Sequence, residues 1–155
     1  MPTRIRTALD QIVTVVESIT TDTRFNNTTK FRHVDGAYSS EDFETARGRT
    51  RLFMLSLTGN STISGPIGGV TEPSDTTEVI DLTVVYSMGR NAFELHKVIA
   101  EDHIRLRYNL MLPSNWSDGV MRQAVEGYSI DMADDDEGGA AILNIPIVFR
   151  YRPTF

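Results

Sequence analysis

The chain has 155 residues, 40% hydrophobic and 23% charged, with no cysteine. That length suits one domain that buries about 70% of the surface of its unfolded form. The absence of cysteine excludes disulfides, thiolate metal sites and cysteine nucleophiles, and the formal net charge of −6 has the wrong sign for a domain that lives on nucleic acid.

The first twenty residues are amphipathic. Arg4, Arg6, Asp10, Gln11 and Glu17 interrupt them, so they lack the continuous apolar region of a signal peptide. No stretch approaches the roughly 18 apolar residues that cross a bilayer, and no membrane contact is expected. The Asn-x-Ser/Thr sequons at Asn26, Asn27, Asn60 and Asn115 read as polar loop composition in a chain made in the cytosol. The whole of 1–155 reads as a single domain.

Ile5, Ala8, Leu9, Ile12, Val16 and Ile19 recur every three or four residues, which predicts a helix with one apolar stripe. Thr3 is its N-cap candidate and Thr20–Asp22 its exit; Val13 and Val15 widen the stripe enough to cover a sheet. Residues 22–49 are polar and weakly periodic, with a short strand at Phe31–His33 and a helical turn or two near Glu41–Ala46. Arg51–Leu57 and Thr77–Tyr86 read as a first pair of strands, and Val125–Met132 with Ala140–Tyr151 as a second. On the last strand the apolar residues fall on odd positions. Pro146 interrupts its hydrogen-bond donors and predicts either a bulge or an edge position there.

Between the pairs, Asn91 and Glu94 resemble a capping box. Leu95, Ile99, Leu106 and Leu110 mark the buried stripe of a second helix that Pro113 ends. The expected fold is α+β: an antiparallel sheet of four or slightly more strands, two helices packed on it, in the order α-β-β-α-β-β. Residues 58–76 read as one long glycine- and proline-containing loop, a length that in compact domains is usually functional or disordered.

No enzyme motif is present, and no cofactor or metal is expected. His96 and His103 lie seven apart on the second helix, about 10.5 Å along its axis, too far to share one metal ion. His96 reads as a polar flank, His103 as a satisfied histidine at the margin of the stripe, and Glu101–Asp102 as a solvent-facing acid pair. Asp134, Asp135, Asp136 and Glu137 lack the alternating ligand spacing of a calcium loop and read as a solvated hairpin tip that carries negative potential. Ile63, Ile67 and Val70 are apolar residues on the predicted loop, either packed locally or inserted into a neighbouring subunit. Arg47, Arg49 and Arg51 alternate into the first strand as a solvated or subunit-contact stripe. Residues 1–52 hold eight Lys/Arg against seven Asp/Glu and the remainder seven against fourteen, so most of the domain would repel phosphate.

The N-terminal helix, the hairpin with a long loop, the segment Asp81-Leu82-Thr83-Val84-Val85-Tyr86 leading to a helix, and the closing strand ending Val148-Phe149-Arg150-Tyr151-Arg152 together resemble the tail terminator (tail completion) proteins of long-tailed bacteriophages. The resemblance covers the first helix and most of 50–152. It implies a non-enzymatic virion protein of the tail or neck, assembled in the host cytoplasm. Such a protein forms a hexameric ring that caps the head-proximal end of the tail tube, stops its polymerisation and docks the connector proteins of the head. The implied partners are copies of itself, the tube protein and the connector, with DNA passing through unbound. Ile63, Ile67, Val70, Arg47, Arg49 and Arg51 are then the subunit-interface candidates, and Asp134–Glu137 the acidic lumen candidates. The alternatives are another tail ring component (tube, baseplate or connector subunit), or a small α+β enzyme using His96 or His103 with Glu101 or Asp102.

Overall fold

A computed structural model describes residues 4–19, 30–34, 50–64, 75–87, 92–113, 120–125, 127–133 and 140–151. In chain order these form α1 (Arg4–Glu17), β1 (Lys30–His33), β2 (Thr50–Ser64), β3 (Asp75–Ser87), α2 (Ala92–Met111), β4 (Val120–Val125), β5 (Ser129–Ala133) and β6 (Ala140–Tyr151). The class is α+β, as expected.

The sheet is larger than expected and mixed. Its six strands follow the path β1-β2-β3-β6-β4, with β5 also paired to β6. The parallel member is β1, which runs alongside β2 from Lys30↔Thr50 to His33↔Phe53. Parallel neighbours need a crossover of a dozen or more residues, and 34–49 supplies that length. The two hairpins meet along β3 and β6, an unbroken antiparallel ladder from Thr76↔Tyr151 to Ser87↔Ala140.

Both helices lie on one face. The alternation of β6 explains why: Ala141, Leu143, Ile145, Ile147 and Phe149 are all fully buried. They join Ile80, Leu82, Val84 and Tyr86 of β3 and Phe53 of β2 in one core cluster with Ala8, Ile12, Val15, Val16 and Ile19 of α1 and Leu95, Ile99, Leu106 and Leu110 of α2. Both predicted helical stripes therefore face the core, with Ile5 and Leu9 of the first only partly buried at its margin. On the opposite face, which carries no helix among the described residues, Leu52 and Val85 stand opposite each other and are buried as well.

Two irregularities depart from expectation. Both ends of the predicted loop over 58–76 are strand, since β2 continues to Ser64 and β3 already starts at Asp75; residues 65–74 lie outside the described residues. The ladder survives by absorbing extra residues: the register shifts between Leu57 and Ser61, Gly59 takes φ 77° inside the bulge, and the Thr58 hydroxyl donates to the Val79 carbonyl at 3.3 Å. The predicted strand Val125–Met132 is likewise two strands. Val125 faces Ile147 and Ser129 faces Asn144, so one extra residue enters at Gly127, whose φ is 70°. Pro146 sits opposite that break and stays in register with Asp81 of β3. The bulge expected at Pro146 thus lies in the facing strand, and β6 is interior.

Candidate functional site

α2 carries a buried charge. Its apolar stripe runs Leu95, Ile99, Leu106, Leu110, and Asp102 falls on the same stripe, three residues after Ile99 and four before Leu106. Its side chain is fully buried, as is that of Arg105 one turn on. The solvent-facing pair Glu101–Asp102 is therefore not formed: Glu101 is exposed and Asp102 points into the core.

Groups on three elements compensate the carboxylate, among them the following. The Tyr86 hydroxyl of β3 donates to Asp102 Oδ2 at 2.9 Å. Arg105 Nη1 lies 3.5 Å from Oδ1, and Arg51 Nε of β2 lies 3.6 Å from Oδ2. At those separations the arginine contacts are Coulombic, longer than the 2.7–2.9 Å of a charge-assisted hydrogen bond. Each guanidinium also covers an aromatic ring: Arg51 over Tyr86 at 5.4 Å from its centroid, Arg105 over Phe31 of β1 at 5.6 Å. Burial and the Asp102 carboxylate push the Tyr86 hydroxyl well above its ordinary 10.0, against the lowering pull of Arg51 and Arg105. The phenol stays protonated and serves as a donor.

This cluster corrects the reading of Arg51. It does not project into solvent or toward another subunit; the Asp102 carboxylate and the Tyr86 ring hold it inside the fold. Arg47 and Arg49 lie outside the described residues, as do Ile67, Val70 and Asp134–Glu137. Ile63 sits on β2 across from Thr76, in a strand and not in a loop.

The histidines separate. His96 is exposed and His103 is buried, in tilted contact with Tyr128 with ring centroids 4.1 Å apart. Its Nε2 finds no hydrogen-bond partner among the described residues, so it is packed but not satisfied. Burial first, then the charge of Arg107, lowers its pKa from the ordinary 6.5, which favours the neutral ring. No group of three His, Asp or Glu side chains among the described residues could hold a metal ion.

No known protein family matches this chain, and no curated protein does.

Two surfaces escaped the sequence reading. A groove of about 290 Å³ between α1 and the first two strands is lined by Leu9, Asp10, Val13, His33, Met54 and Leu55, among others. On α2, Ile104, Tyr108 and Met111 recur at helical spacing and are 50%, 42% and 41% exposed. The spacing was visible in the sequence, but a helix has two sides and the Leu/Ile stripe took the core. No helix among the described residues is long and apolar enough to cross a membrane.

Proposed function

We propose that this chain is a structural virion protein: a ring-forming tail terminator that caps the head-proximal end of a phage tail tube, stops its polymerisation and offers a docking surface to the head's connector proteins. The observation that carries the reading is a sheet with two different ends. Among the described residues, β1 is outermost on one side and β4 with β5 on the other. An outermost strand directs a row of backbone groups away from its sheet, ready for another chain. Joining unlike edges of two copies is a heterologous contact, and such contacts form a ring when the rotation per copy closes.

The element order adds support. Helix, hairpin, helix, hairpin is the arrangement on which the resemblance to tail terminators rests, and β1 is an addition to it. In this reading the partners are further copies in a hexameric ring, the tube protein and the connector. DNA passes without specific binding, and neither cofactor nor membrane takes part.

The test is assembly. Size-exclusion chromatography with light scattering and negative-stain images of the full chain should show one closed ring, and adding it to polymerising tube protein should stop elongation. A strict monomer at high concentration overturns the proposal. Open filaments would favour a tube subunit instead. The enzyme alternative requires an activity that His96→Ala or His103→Ala abolishes while assembly is unchanged.

A further inference from the structure

Among the described strands, the register of the sheet leads from one edge to the other along a single row. Arg32 on β1 stands beside Leu52, Leu52 faces Val85, Val85 faces Ile142, and Ile142 faces Asp131 on β5. The interior of that row is apolar and its two ends carry opposite charges. Both ends are exposed.

The ends also share a face. Phe31 is buried in the core, so its neighbours Lys30 and Arg32 point to the helix-free side. Ile130 packs against the same core, which places Ser129 and Asp131 on the helix-free side too. Asp131 is held in place there: the Thr83 hydroxyl donates to Asn144 Oδ1 at 3.1 Å, and Asn144 Nδ2 donates to Asp131 Oδ2 at 2.9 Å. A polar relay across three strands fixes the carboxylate at the edge.

Strand direction is the third constraint. β1 runs with β2, against β3, with β6 and against β5. Setting β5 of one copy beside β1 of the next therefore gives an antiparallel junction, the pairing that is slightly more stable per residue. Four residues of β1 meet five of β5.

We propose that successive copies of this chain join head to tail through β1 of one and β5 of the next, continuing the sheet across the boundary with Lys30 and Arg32 against Asp131. The contact rests on the ring reading above and names the surfaces that close it. Charge selects this arrangement over a two-fold dimer. Pairing β1 with β1 would set Lys30 and Arg32 against their own kind, and pairing β5 with β5 would set Asp131 against itself; like charges in cross-strand positions destabilise. The register selects a level ring over a rising filament. With Arg32 and Asp131 ending one row, rotation about an axis along the strands joins copies without a rise.

The test swaps charges on the full chain. Lys30→Glu with Arg32→Glu makes both edges acidic, and Asp131→Lys makes both basic. Each variant alone should need at least tenfold higher concentration to assemble than the wild type, by light scattering, with an unchanged circular dichroism spectrum. Mixed in equal amounts the two should assemble as the wild type does, because every acidic edge then finds a basic one; misfolded chains would not recover this way. Variants that assemble like the wild type, or a mixture that stays dissociated, overturn the contact and leave the ring standing. A wild-type chain that is monomeric throughout overturns the ring and the contact together.

Discussion

The Tyr86 hydroxyl and the Asp102 carboxylate, 2.9 Å apart and both buried, tie the end of the central strand β3 to the middle of α2. Tyr86→Phe removes a donor from a charged acceptor and should cost about 1.5–3 kcal/mol in urea unfolding. Asp102→Ala leaves the Arg51 and Arg105 guanidinium groups without that carboxylate and should cost more, about 3–5 kcal/mol. A Tyr86→Phe chain as stable as the wild type would show that the phenol hydroxyl does not stabilise the buried carboxylate.

His103 makes stability depend on pH. Its folded pKa lies below the ordinary 6.5 because of burial and Arg107. The unfolded chain therefore binds the proton first, and stability should be full above about pH 6.5 and fall as the pH drops through the window beneath it. His103→Phe should flatten that part of the curve, measured by urea titrations between pH 8 and 5.5. An identical slope in the variant would remove His103 from the account.

Gly127 admits the extra residue between β4 and β5 with φ 70°, and nothing lies within 4 Å of where a Cβ would stand. The cost of a side chain there is backbone strain alone. Gly127→Ala should destabilise by about 1–2 kcal/mol and Gly127→Asn by less, since Asn visits the left-handed region more readily. Equal melting temperatures for all three chains would mean the bulge can take another form.

Asn144 links Thr83 to Asp131. Asn144→Ala should cost about 1–2 kcal/mol in the isolated subunit for the hydrogen bonds lost, and should also raise the concentration needed for assembly, because the Asp131 carboxylate is no longer oriented. Stability lost with assembly unchanged would confine the relay to the subunit.

Much of the fold was legible because it is written in period. Ala8, Ile12, Val16 and Ile19, the stripe from Leu95 to Leu110 and the odd positions of β6 from Ala141 to Phe149 bury as their spacing predicts. The strand bounds over 58–76 were hidden because a bulge breaks the alternation: Thr58, Gly59 and Asn60 carry composition typical of a loop inside a paired strand. The parallel placement of β1 was equally hidden, since four residues state no direction. At the polar cluster, Asp102 did sit at a core spacing. Its charge outweighed its position in the reading, and the partners that make burial tolerable, Tyr86 and Arg51, lie on two other elements. The edge charges Arg32 and Asp131 are ninety-nine positions apart in sequence, and only the register puts them on one row.

The central place of β6 sets the order in which the subunit can be completed. Of the described strands it is the last to leave the ribosome, yet it fills the gap between β3 and the pair β4 and β5. Until it arrives, the growing chain holds β3 with one open side and two short strands with nothing to pair against, at synthesis rates of about 5–20 residues per second. Ribosome-bound intermediates stalled before residue 140 should therefore be the species most in need of chaperones.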